Sequence, residues 1–202
     1  MTKISKIKAR QVFDSRGNPT IEVEAYCKNT KASAICPSGA STGSFEAFEK
    51  KDKGNKKYLG KSVLNAVKLV NTVIAKKIKN KNVHNQEKID QILIKLDGTK
   101  QKNKLGANSI LATSMAIKKL SAILKKVPLY KTFLVKNKFK LPYPLMNIIN
   151  GGAHANNELR IQEFMIRPDK AKTFSEALRM CFLVINNLKK ILKKKGHSTS
   201  VG

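Results

Sequence analysis

The chain has 202 residues, a length for one domain or one and a fraction. Apolar residues make up 41%, which excludes disordered and collagen-like classes. Lys and Arg number 41 against 13 Asp and Glu, for a formal net charge of +28, yet only five of those cations are Arg. Proteins that read phosphate groups use Arg forks as well as Lys point charges. The lysine excess beside 17 Asn therefore reads as drift toward A-rich codons, not as a dedicated nucleic-acid interface, although nonspecific attraction to a polyanion stays open.

Cys27, Cys36 and Cys181 form no Cys-x-x-Cys pair and leave an odd thiol. They support neither a disulfide framework nor a zinc site, and fit small buried side chains in a reducing compartment. No apolar run approaches the ~18 residues of a membrane span, and no leader with a cleavage site opens the chain, so a soluble cytoplasmic protein is expected.

In chain order, residues 1–37 read as β-rich. TIEVEAYC sets Ile21, Val23 and Ala25 against Thr20, Glu22 and Glu24 with period two, and is flanked by KISKIKARQVF and KASAIC. The turn-forming DSRGNP and KNTK join them, which predicts an antiparallel meander with one buried face. SGASTGS at 38–44 is a Gly/Ser loop. Val63, Val67, Val70 and Ile74 then recur at helical spacing to about residue 80. Asn85 is placed to cap a second helix carrying Ile89, Ile92, Leu93 and Leu96, with Gly98 just past its end. A third helix is expected over 108–125, and a short fourth over 129–135.

Near residues 136–140 the texture changes. PYPLMNIINGG and RIQEFMIRP hold short, nearly continuous apolar runs, expected to be strands buried on both faces in a parallel sheet. A helix over 175–195 is expected to turn Ala177, Leu178, Cys181, Val184, Ile185, Leu188 and Leu192 inward. Patterning alone stops at a soluble α+β protein.

The local strings go further. DSRGNPT at 14–20, PSGASTG at 37–43, LDGT at 96–99 with KLGANSIL at 104–111, VPLY at 127–130, MNIINGGAHANN at 146–157 and IQEFMI at 161–166 resemble enolase, in that family's order and near its spacing. The resemblance implies an α+β N-terminal domain over 1–138, a three-stranded antiparallel meander followed by helices. It implies the first part of an enolase-type α/β (TIM-like) barrel over 139–202. It also implies a glycolytic lyase that dehydrates 2-phosphoglycerate to phosphoenolpyruvate with two Mg2+ ions.

By that resemblance Ser41 ligates the second magnesium from its loop, and His154 contacts substrate near the phosphate and leaving group. Glu163 helps hold the leaving hydroxyl, and Gln162 contacts 2-phosphoglycerate. Asp14 and Arg16 read as structural or subunit-contact groups, and His84 and His197 match nothing in the family. The family's main general acid, lysine base and magnesium carboxylates have no counterpart among these residues, so an inactive N-terminal fragment is expected. The alternative is a noncatalytic basic interaction fragment that binds RNA or a protein partner. The resemblance further implies a homodimer in the complete protein, association with an RNA-degradation assembly, and a cytoplasmic location, with some family members at the cell surface or secreted.

Overall fold

The computed structural model describes residues 2–39, 43–54, 56–133 and 139–199. The chain divides into two compact units, 1–135 and 136–202, each described here by itself.

In the first unit, β1 (Lys6–Phe13), β2 (Pro19–Cys27) and β3 (Thr30–Cys36) form an antiparallel sheet in chain order, with Ala9 opposite Val23 and Val23 opposite Ala34. The first turn is closed by Asp14, whose carboxylate accepts from the N–H groups of Arg16 and Asn18 at 2.9 Å each. Period two gives β2 one apolar face of Ile21, Val23, Ala25 and Cys27, all buried. The opposite face is not simply solvated as expected. Thr20 and Glu24 are also buried there. Glu24 tolerates burial because Lys31 (3.0 Å), the Tyr26 hydroxyl (2.9 Å) and Arg10 (3.3 Å) surround it. The Lys31 hydrogen bond leads the interactions that hold its carboxyl below the usual range.

Helical periodicity past Val63 yields α1 (Leu64–Leu69), a π-turn over Val70–Ile74 and α2 (Ala75–Ile78). A uniform helix was expected. The extra residue of the π-turn places the Asn71 amide against strand β1, where it accepts from Ala9 N–H (2.7 Å) and donates to the Ala9 carbonyl (3.0 Å). Those two groups of an edge strand would otherwise lack partners. No local side chain caps α1. Asp52, from the preceding loop, accepts from Leu64 N–H (2.8 Å) and Asn65 N–H (3.2 Å).

Helix α3 (Gln86–Asp97) starts and stops where the sequence says: Asn85 accepts from Lys88 N–H at 3.1 Å, and Gly98 takes the left-handed conformation (φ 68°) past its end. Helix α4 (Ala107–Leu124) lies across β2 and β3. Its Ala112, Ala116, Ile117 and Leu120 are buried in one core with the apolar face of the sheet and with Val70, Ile74, Ile78, Ile89 and Leu93. The expected fourth helix is a 3-10 segment, Leu129–Phe133, and residues 134–138 lie outside the described residues.

At the end of α3, Asp97 is wholly buried and accepts from the N–H of Leu105 (2.7 Å) and Thr99 (3.0 Å) and from the Thr99 hydroxyl. Burial pushes this carboxyl up, but the three donors and nearby Lys102 outweigh it and hold it below the ordinary carboxylate value. A folded value below the unfolded one gives stability that is fully present above about pH 3.9 and is lost as pH falls through the depressed value. Asp97→Asn is therefore expected to cost about 1–3 kcal/mol at neutral pH and to flatten the acid limb of a urea-unfolding series. An unchanged acid limb in the variant would contradict the assignment.

The second unit holds β4 (Met146–Asn150), a 3-10 turn over Gly152–His154, β5 (Glu163–Ile166) and α5 (Phe174–Lys194). Here the expectation of a parallel sheet buried on both faces is corrected. β4 and β5 pair antiparallel, with Asn150 opposite Glu163 and Met146 opposite Ile166. Phe164 and Met165 are exposed. A parallel pair needs a crossover that carries the chain back along the sheet, usually a helix. Residues 151–162 contain only a 3-10 turn and irregular chain, so the strand simply reverses. The two strands do not close a barrel.

In α5 the Thr173 hydroxyl accepts from Glu176 N–H (3.1 Å) and caps the start. Ala177 and Cys181 are buried as expected, whereas Leu178 and Val184 are exposed. Among the described residues the three cysteines are free, with Cys27 and Cys181 buried. Burial, with Glu49 nearby, pushes the Cys36 thiol up to about 11, which keeps it unreactive at neutral pH. Among the described residues no helix is long and apolar enough to cross a membrane.

Candidate active site

Of the four site residues expected from the sequence, His154 and Gln162 fall in the β4–β5 connection and Glu163 at its end. Glu163 opens β5, and because β4 pairs with that strand, it stands beside the end of β4 at Asn150. The chain then passes Gly151 and turns through 152–154, with His154 N–H donating to the Gly151 carbonyl at 3.0 Å. This fold-back sets the imidazole Nδ1 of His154 3.1 Å from a carboxylate oxygen of Glu163. Both side chains are about one-third exposed, accessible yet partly shielded from water.

An ionised carboxylate only accepts, so a hydrogen bond at this contact requires a proton on Nδ1 and leaves Nε2 as the other working atom of the ring. The pair can hold and pass a proton, which a lone loop histidine or a lone carboxylate does less selectively.

The reversal depends on close backbone approach. A β-carbon at Gly151 would lie 2.5 Å from the Ile161 carbonyl and 2.6 Å from the Leu159 β-carbon. Gly151 N–H donates to the Gln162 carbonyl (2.9 Å), and Gly152 N–H donates to the Leu159 carbonyl (2.6 Å). Gln162 thus serves the turn through its backbone while its side chain stays exposed beside Gly152. Sequence reasoning singled out neither Gly151 nor Asn157, which also braces this turn. Their signal was the density of Asn and Gly in NGGAHANN, which marks a turn without saying which side chain does what.

Ser41 lies outside the described residues. The stems of its loop are described. Ser38 donates from its hydroxyl to Glu49 (2.6 Å), and Arg16 donates to the Ser38 carbonyl (3.1 Å). Arg16 thus ties the strand turn that Asp14 closes to the stem of this loop. In the first unit, His84 Nδ1 lies 2.8 Å from the Ser121 hydroxyl.

The magnesium ions implied by the resemblance need about six oxygen ligands each. Among the described residues no group of three or more His, Cys, Asp or Glu gathers to hold a metal. At the β4–β5 turn the one carboxylate near His154 is already engaged with it. The described residues do not fit a magnesium ion by themselves.

The sequence pattern described as "Enolase, N-terminal domain" matches residues 4–133, and that described as "Enolase, C-terminal TIM barrel domain" matches residues 138–202. The chain belongs to the enolase family. The protein "Enolase" of Pelagibacter ubique (strain HTCC1062) is 76% identical to it over 202 residues, covering 100% of this chain and 48% of that relative. The chain thus spans about half the length of the curated relative it matches. Enolase membership accounts for the architecture: a meander with helices in the first unit and the opening, unclosed portion of a TIM barrel in the second.

Proposed function

We propose that this chain carries the leaving-group side of an enolase site, acting in the magnesium-dependent dehydration of 2-phosphoglycerate to phosphoenolpyruvate. The observation that supports it is the 3.1 Å contact between His154 Nδ1 and Glu163. Hydroxide is a poor leaving group and departs when a placed acid protonates it. In this reading Glu163 holds the departing hydroxyl, and His154, oriented by Glu163, offers Nε2 to the substrate near its phosphate and leaving group. Gln162 adds a neutral hydrogen-bonding amide. Ser41, a hard oxygen donor on a Gly/Ser loop, serves as a ligand for the second magnesium. In the complete site magnesium would supply charge neutralisation.

The reading assigns 1–138 to the N-terminal domain and 139–202 to the start of the barrel. It makes the complete protein a cytoplasmic homodimer. That statement, like association with an RNA-degradation assembly, rests on the family resemblance alone. In this reading the 202-residue chain by itself is inactive, because the family's main general acid, lysine base and magnesium carboxylates have no counterpart among these residues.

The test joins this chain to the remaining half of the Pelagibacter ubique relative and follows phosphoenolpyruvate formation by its ultraviolet absorbance. The expected result is turnover by the joined protein with magnesium and none by the 202-residue chain. A joined protein that folds but does not dehydrate 2-phosphoglycerate would overturn the reading. Turnover by the 202-residue chain alone would overturn the inactivity.

A further inference from the structure

Resting on that reading, we propose that Asn157 is a positioning residue for the His154–Glu163 pair, its single amide tying the end of β4 to the segment that leads into β5. Glu163 is fixed by strand pairing opposite Asn150. His154 is not on a strand, and it reaches Glu163 only if the turn after Asn150 folds back and stays folded.

Asn157 uses both ends of its amide for this. Its NH2 donates to the Asn150 carbonyl (3.0 Å), and its oxygen accepts from the Leu159 N–H (3.0 Å). The Leu159 carbonyl in turn accepts from Gly152 N–H. Asn150, Asn157, Leu159 and Gly152 thereby close a ring of hydrogen bonds around the turn that carries His154. The orientation of the amide follows from its partners, since a carbonyl can only accept and an N–H can only donate. Asn157 is exposed, so no packing role accounts for its place.

The consequence is a specific protonation pattern. Free histidine in water favours the proton on Nε2. A carboxylate held at Nδ1 reverses that preference and frees Nε2 as the acceptor. Asn157 contributes by keeping the turn closed, touching no substrate itself.

The test reads the His154 tautomer in the 202-residue chain from two-bond 15N–1H correlation spectra at mildly alkaline pH. The chain is compared with Asn157→Ala and Asn157→Asp. Amide signals of Phe164 and Met165 report whether the β4–β5 pair persists. The expected result is the Nδ1–H tautomer in the parent chain and its loss to Nε2–H in both variants, with the β5 amides unmoved. Asn157→Asp keeps the acceptor for Leu159 but not the donor to Asn150, so retention of Nδ1–H there would overturn the two-ended role. Nδ1–H retained in Asn157→Ala, or β5 signals lost with it, would overturn the positioning role while leaving the His154–Glu163 reading intact. An Nε2–H tautomer in the parent chain would overturn both.

Discussion

Glu163→Gln, made in this chain joined to the second half of the Pelagibacter ubique relative, is expected to lower turnover of 2-phosphoglycerate by about 10²–10⁴-fold, the range for removing a placed acid or base. Glutamine has nearly the same shape and can still accept from His154 Nδ1 at the observed 3.1 Å. What it lacks is the carboxylate charge that holds the departing hydroxyl and orients His154. The loss should therefore fall on kcat, with KM changed little. A variant with near-parental kcat would remove Glu163 from the chemistry. A large rise in KM with kcat unchanged would make it a binding group only.

Gly151→Ala is expected to cost nearly as much by a different route. Gly151 is extended (φ −151°), a conformation open to any residue, so the issue is space alone. The added β-carbon would meet the Ile161 carbonyl at 2.5 Å and the Leu159 carbonyl at 2.8 Å. Backbone atoms of a paired segment cannot rotate away as a side-chain tip can. The turn must open, which breaks the Gly151 N–H bond to Gln162 (2.9 Å) and draws His154 off Glu163. A displacement of about 1 Å at a reacting group costs about 10²-fold. Activity of the joined protein and the His154 tautomer should fall together. Parental activity with Ala at 151 would show that the close approach is dispensable. Asp97→Asn serves as the contrast, since it weakens the first unit at neutral pH, where the depressed Asp97 carboxyl contributes its stability, and alters no residue of this turn.

Much of the first unit was readable locally. Period two in TIEVEAYC set the apolar face of β2, and Asn85 and Gly98 bracket α3 because an N-cap acceptor and a left-handed glycine each act within one helical turn. The strings that resemble enolase were legible for the same reason, since they are contiguous. Sequence signals failed where a partner came from far along the chain. Asn71 is 62 residues from the Ala9 backbone it satisfies, and Asp52 caps a helix it is not part of. Glu24 is buried by cross-strand cations.

The strands at 146–150 and 163–166 show the limit most clearly. An apolar run states that a segment is to be covered, and says nothing about direction, so MNIIN and EFMI fit a parallel sheet as well as the antiparallel pair that forms. The sequence by itself determined the family and the three strands and longer helices of the first unit, and it offered Ser41, His154, Gln162 and Glu163 as candidates through the resemblance. Only the tertiary structure decided that β4 and β5 run antiparallel and that His154 folds back onto Glu163 with Asn157 and Gly151 holding the turn. Those features depend on hydrogen bonds and steric contacts between segments, which no local periodicity encodes.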